Sequence, residues 1–440
     1  MGLKSTFIPM TTLQRNIGLV ALTLYGVGDI LGAGIYGLIG KAAGEMGNTI
    51  WLAFLASMVA AGLTGLSYAS IGSRHPKAAG AAYVTHLAFR KTFLSYATGL
   101  VAFASGLTSM ATASRVFAGY LTGAFPGFPF EAVVILFGCA LAFVIFWGIR
   151  ESMWVNTLCT VIEVSGLLFI LFVGIKFIGT VDLTDATTVN NPTGLITPSL
   201  ILSGAVLAFY SFIGFEDILN VSEEVKDPSR NVPLGLLLAI GISSIIYIGI
   251  SLVAVSVVPS GELAKSTQPL VDVAVRAAPW FPPKVFSFIA MFAVANTALL
   301  NFLMGSRLLY GMSKQGLLPK PLSKVHAKRK TPYVATLIIL GILLLLALSG
   351  DIAVLARATS ALLLMCFVVV NASLIVLKRR PSEPKGKFEI PIAIPIAGVL
   401  VCLTMLSFTK SEELMRAGII LAVIGVLYFV VKPKNYAPID

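Results

Sequence analysis

The chain has 440 residues, 57% of them hydrophobic and only 12% charged, against the roughly 25% charged residues of soluble domains. A mean hydropathy of +0.91 excludes an ordinary soluble domain and indicates an integral membrane protein. The formal net charge of +12 does not point to nucleic acid, because the basic residues sit in alternate loops rather than on one face.

Apolar stretches of about 20 residues, the length a helix needs to cross a bilayer core, fall near 17–39, 49–72, 94–118, 130–149, 154–179, 198–225, 232–258, 285–312, 332–350, 352–377, 391–408 and 415–432. This predicts an all-α integral membrane protein of about twelve spans. A transmembrane barrel needs alternating segments of about ten residues, and runs such as LLLLALSG and LVAVSVV do not alternate. The N-terminus is short and polar, and no small-residue cleavage site follows the first apolar core, so the first span is expected to remain as a membrane helix.

Lys4 and Arg15 precede the first span; Arg74, Lys77, Arg90 and Lys91 follow the second, Arg150 the fourth, and Lys226 and Arg230 the sixth. Lys314, Lys320, Lys324, Lys328, Arg329 and Lys330 follow the eighth, and Lys378, Arg379, Arg380, Lys385 and Lys387 the tenth. The opposite loops carry few cations, such as Lys41, Lys265 and Arg276. The positive-inside rule places the basic loops and both termini on the cytoplasmic side of a cell membrane.

Cys139, Cys159, Cys366 and Cys402 lie inside apolar spans without paired spacing, which argues against disulfides and zinc. His75, His86 and His326 fall between spans, and no P-loop, HExxH or CxxC occurs. An ATP-driven pump is therefore disfavoured, and neither a cofactor nor a metal centre is expected.

Two Gly-centred breaks interrupt the apolar runs: GDILGAGIYG at 28–37 in the first span and FYSFIGFED at 209–217 in the sixth. Unpaired backbone within a membrane is tolerated only where it lines a cavity or grips a ligand. The breaks open two equivalent units, 12–180 and 196–380, the second inverted because its first span starts from the opposite side. Residues 388–434 form two further helices of what reads as one transporter domain over 1–440.

The residues here resemble the amino acid, polyamine and organocation transporters. GAGIYGLIG is similar to that family's Gly-rich substrate motif, FYSFIGFEDILNVSEEVKDPSRNVPLG to its sixth helix and following loop, and SRLLYGMSKQGLLP with KTPYVA to its eighth-to-ninth connection. The resemblance implies a five-plus-five inverted-repeat fold of the LeuT type, with broken first and sixth helices and alternating access.

With the first half-helix ending near Asp29 and the next starting near Ile35, amides of Gly32, Ala33 and Gly34 stand at a positive helix N-terminus that suits a carboxylate. Carbonyls of Phe209, Tyr210 and Ser211, beside Ile213, suit an ammonium group. One break for each end of an α-amino acid is the economical reading; close helix packing is the plain alternative. The resemblance implies that Tyr210 covers and gates the substrate and that Asn301 faces its side chain. An interfacial or core Tyr and a helix-to-helix hydrogen bond from the Asn are the competing roles.

Asp29, Glu163, Glu216 and Asp217 stand out because ionisable side chains inside spans cost about 2.5–3.5 kcal/mol by insertion scales. Some proton-coupled members of the family carry Lys at the Glu163 position, touching the first helix and a small polar residue of the eighth. This chain has Glu there, with Gly28, Asp29, Asn296 and Thr297 at the corresponding places, so a Lys mechanism does not transfer. Asp29 and Glu163 are candidates to share a proton, to hold sodium with Asn296 and Thr297, or to bind a cationic substrate. Glu216, Asn220 and Glu223 form one polar stripe at α-helical spacing. The resemblance implies that an acid at Glu216 links protonation to gating, while an acid in a helix's first turn is also ordinary.

The expected function is a secondary active amino acid transporter, with proton symport favoured over an exchanger or a cationic amino acid or polyamine carrier. Its partners would be a small-molecule substrate, a proton or sodium, and membrane lipids. A sensor is a third class. An intramembrane enzyme lacks a nucleophile with a base beside it.

Overall fold

The computed structural model describes residues 17–75, 80–147, 149–314, 316–329 and 331–433, with only the backbone for 149–155, Asn220 and Glu223. Lys4, Arg15, Lys77 and Lys330 lie outside the described residues, as do the side chains of Arg150, Asn220 and Glu223. The helices in chain order are α1 (Leu19–Ile30), α2 (Ala33–Met46), α3 (Ile50–Arg74), α4 (Ala81–Phe89), α5 (Thr92–Ala124), α6 (Phe130–Trp147), α7 (Ile149–Gly174) and α8 (Pro198–Phe209). There follow α9 (Pro228–Val257), α10 (Ser260–Lys265), α11 (Pro269–Ala277), α12 (Pro283–Lys314), α13 (Tyr333–Ser349), α14 (Ile352–Lys378), α15 (Ala393–Ser407) and α16 (Ser411–Val431).

Among the described residues nine helical stretches are long and apolar enough to cross a membrane, and α13 and α15 are shorter apolar helices. The first stretch, Leu19–Arg74, has 56 residues and runs through α1, α2 and α3, which is length for two passes. The passes therefore number about twelve, as the hydropathy predicts. The connections are more ordered than the sequence suggests: α4 lies between the second and third passes and carries His86, and α10 and α11 lie between the seventh and eighth.

Helix starts follow local chemistry. Thr197 accepts from the Leu200 amide at 3.2 Å with Pro198 at the first helical position, and Asp351 accepts from the Ala353 amide at 2.8 Å. Both satisfy a donor that a helix N-terminus leaves free. Inside the passes, Thr108, Thr112 and Ser114 return their hydroxyls to carbonyls of their own helix, so they add polarity without needing water.

The broken passes sit at the centre. α1 lies against α7 and α9, α2 against α8 and α10, and α3 against α8 and α9, while α5 is flanked by α12, α13 and α14. α16 is peripheral and leaves Val426, Phe429 and Val430 exposed, the pattern of a lipid-facing helix.

The loops after the second, sixth and tenth passes converge at one end. Glu389 pairs with Arg74 at 2.6 Å and Lys378 at 2.5 Å, His75 with Glu383 at 2.5 Å, and Lys387 with Asp227 at 3.0 Å. Partial burial works against the charge on Glu389, but the two cations and the Gly386 amide outweigh it and hold the carboxyl down at about 2. Its folded value lies below the unfolded one, so its stabilisation is complete above about pH 4.5 and is lost as pH falls toward 2. Glu389→Gln is expected to cost about 0.5–1 kcal/mol at pH 7, the range of partly exposed pairs. Thermal unfolding in detergent should show the gap between variant and parent narrowing as pH drops from 5 toward 2.

Candidate functional site

The first break is tighter than the sequence indicates. α1 continues to Ile30 and α2 starts at Ala33, leaving only Leu31, extended, and Gly32 at φ 134° outside the helices. A side chain is excluded at Gly32 twice over. The positive φ disfavours one, and a Cβ would stand 2.1 Å from Thr297 Oγ1.

The second break begins where α8 ends at Phe209. A 3-10 turn, Tyr210–Phe212, leads to extended Ile213 and to Gly214 at φ 122°, and Phe215–Glu224 then winds as 3-10 rather than α-helix. The backbone there does not have the α-helical period on which the polar stripe rests, and the side chains of Asn220 and Glu223 lie outside the described residues.

The two breaks touch. A Cβ on Gly34 would lie 2.4 Å from Ser211 Cα, and one on Gly214 would lie 2.6 Å from the Asp29 carbonyl oxygen. Their freed backbone groups are partly satisfied by side chains of distant helices. The Ala33 amide donates to Thr297 Oγ1 of α12 at 3.1 Å. The Ser211 carbonyl lies 2.6 Å, and the Ile30 carbonyl 2.5 Å, from the Tyr247 hydroxyl of α9. The Tyr210 carbonyl accepts from the Ile213 amide at 3.3 Å. Ala33, Tyr210 and Ser211 are thus engaged in this closed arrangement, whereas Gly34 and Ile35 lie in the first turn of α2, where amides have no intrahelical acceptor.

The remaining site residues surround this contact, with Tyr210, Glu163, Asp29, Asn296 and Thr297 buried and Asn301 and Glu216 half-buried. The Tyr210 hydroxyl donates to the Ser109 carbonyl of α5 at 3.1 Å and lies 3.1 Å from Ser109 Oγ, so the ring bridges the break to α5. Asn301 donates to the Thr297 carbonyl at 2.9 Å on its own helix. Its Oδ1 would stand 3.2 Å from a Cβ on Gly106 of α5.

Glu163 is 0% exposed, and a Cβ on Gly32 would stand 3.2 Å from its Oε1. Asn296 stands beside it without a hydrogen bond of ordinary geometry, its Nδ2 making long contacts to Thr160 Oγ1 at 3.4 Å and the Gly28 carbonyl at 3.5 Å. Glu163 Oε1 and Oε2, Asn296 Oδ1, Asp29 Oδ2 and Ser211 Oγ have no hydrogen-bond partner among the described residues. A Cβ on Gly214 would lie 3.1 Å from Asp29 Cγ, so the Asp29 side chain stands against the second break. Glu216 Oε2 accepts from the Gly214 amide at 3.0 Å and caps its own segment.

Three participants escape the sequence reading. Thr160 packs on Gly28, Ser109 meets Tyr210, and Tyr247 joins the two breaks. A lone Tyr in the apolar run SSIIYIGIS signals a buried hydroxyl that must find a partner, but its partners lie 217 and 36 residues away.

A family model for amino acid permeases matches residues 17–431. The chain belongs to the amino acid permease family. Permeases move solutes, so the intramembrane enzyme falls away. A branched-chain amino acid permease of Bacillus subtilis is 27% identical over 96% of this chain and 94% of its own length. A methylthioribose transporter of the same organism is 28% identical over 96% and 95%. Cationic amino acid transporter 4 of Mus musculus is 30% identical over 85% of this chain and 61% of its own length.

Tyr247→Phe leaves both buried carbonyls without the hydroxyl, and an orphaned buried group costs about 1–3 kcal/mol. A lowered melting temperature in detergent, with an unchanged size-exclusion profile, is the expected result.

Proposed function

We propose that this permease moves an amino acid by alternating access, with the substrate between the two breaks and a proton at the buried acids as the coupling ion. The observation that carries the reading is the contact of the two breaks beside a group of partnerless acceptors. Gly34 and Ser211 are in contact, so a ligand between Gly32, Ala33, Gly34 and Ile35 on one side and Phe209, Tyr210, Ser211 and Ile213 on the other meets amides and carbonyls together. The carboxylate would lie at the N-terminus of α2 and the ammonium at the carbonyls now held by Tyr247, with Tyr210 covering it and Asn301 beside its side chain.

A carboxylate at this depth with no donor is costly. Loading Glu163 with a proton removes that charge. A second reading rests on the same atoms: Glu163, Asn296 and Thr297 present oxygen ligands, which suit sodium. Exchange, or carriage of a cationic amino acid against Asp29 and Glu216, are the remaining variants. On this proposal residues 12–180 and 196–380 are inverted repeats, 388–434 lies outside them, and the basic loops and both termini face the cytoplasm.

Two measurements test the scheme. Glu163→Gln and Asp29→Asn are expected to abolish amino acid accumulation in proteoliposomes driven by a proton gradient; accumulation that persists in both rejects proton coupling there. Uptake that instead requires sodium in place of choline selects the sodium reading. Gly34→Val should abolish amino acid binding in a thermal-shift assay while leaving a monodisperse protein, because its Cβ would lie 2.4 Å from Ser211 Cα; retained binding rejects the proposed pose.

A further inference from the structure

We infer that Arg357 is the gating residue that holds the route shut at the end opposite the basic loops. Its side chain lies in the second turn of α14 and is 1% exposed. The guanidinium pairs with Glu45 in the last turn of α2, and its Nη1 donates to the Ser203 carbonyl of α8 at 3.0 Å. Its Nε lies 3.8 Å from Glu413 Oε1 at the start of α16. Lys410 Nζ reaches Glu45 Oε1 at 3.0 Å from the exposed rim. Two cations and two acids make the group neutral, and it grades from solvent at Lys410 to full burial at Arg357.

The inference rests on the reading of the breaks as hinges. α2 and α8 are the two half-helices on this side of Gly32 and Gly214, and Arg357 ties both of them to α14 through one planar fork. Five N–H donors in fixed geometry suit several partners at once; an ammonium does not reproduce that fork. Opening this end separates Glu45 and Ser203 from the guanidinium and admits water, which then hydrates the freed charge. The guanidinium therefore has partners in two states, Glu45 and Ser203 when dry or water when open, as a latch requires, while Glu413 Oε2 has no hydrogen-bond partner in the dry one. Arg115 makes a contrast: it donates to the Ala347 carbonyl at 2.8 Å and ties α5 to α13, neither of which contains a break.

The test is hydrogen exchange of the full chain in nanodiscs without substrate. Arg357→Gln and Glu45→Gln are each expected to speed exchange in residues 33–46 and 198–209 by about tenfold, since exchange reports local opening, while α6 and α13 keep the parent rate. The exchanged pair, Arg357→Glu with Glu45→Arg, should return both segments toward the parent rate, and Arg357→Lys should fall between. Unchanged exchange in α2 and α8, or acceleration spread evenly over all helices, overturns the assignment. If Arg357→Gln fails to fold, Glu45→Gln alone decides it. The readout needs no substrate, so its failure is separate from that of the Gly34 and Glu163 variants, which test the transport reading itself.

Discussion

Everything at the centre of this protein depends on one constraint, that backbone groups freed inside a membrane must find partners without water. The two broken passes meet it by bracing each other. Gly34 presses on Ser211 and Gly214 on the Asp29 carbonyl, so neither break could take a Cβ without moving the other. Hydroxyls from outside complete the arrangement, Thr297 for the Ala33 amide and Tyr247 for the Ile30 and Ser211 carbonyls. A hydroxyl has one proton, so Tyr247 can donate to only one of its two carbonyls at a time. The junction is not saturated, and on the proposed function this is the condition under which a ligand carrying both donors and acceptors gains by entering.

The ends of the half-helices are tied differently from their middles. At the basic end, the Ile17 amide donates to the Glu224 carbonyl at 3.0 Å and the Lys226 amide to the Ile17 carbonyl at 2.9 Å. These two backbone bonds link the start of the first pass to the end of the sixth. At the opposite end the tie is ionic and runs through Arg357. Backbone bonds link the residue before α1 to the end of the Phe215–Glu224 segment, whereas an ion pair can be exchanged for water. On the proposed alternating access, the asymmetry gives the two ends different costs of opening.

The breaks were legible because Gly weakens a helix and admits backbone angles that a Cβ resists, so a Gly cluster in an apolar run marks where the helix can part. Gly32 and Gly214 do carry the positive φ values that require it. The edges of the breaks were not legible. Thr297, which lets α2 begin at Ala33, lies 264 residues from it, and no local signal reports that. The stripe through Glu216, Asn220 and Glu223 assumed an α-helical period, but capping by Glu216 and the turn at Gly214 start the segment as 3-10. Arg357 carries the same mark as the membrane acids, an ionisable group in an apolar run. Its place in the fold depends on Glu45, 312 residues away, and on the Ser203 carbonyl.

The acids themselves divide by what surrounds them. Glu216 takes an amide and becomes part of the backbone's own capping, while neither oxygen of the buried Glu163 has a hydrogen-bond partner among the described residues. A buried carboxylate without a donor is unfavourable, and it is relieved by any particle that brings positive charge to it. A Lys at this position would bring its own charge and need none. With Glu in its place the charge has to be supplied from solution, and on the proposed function that is what makes closure of the two breaks conditional on an ion.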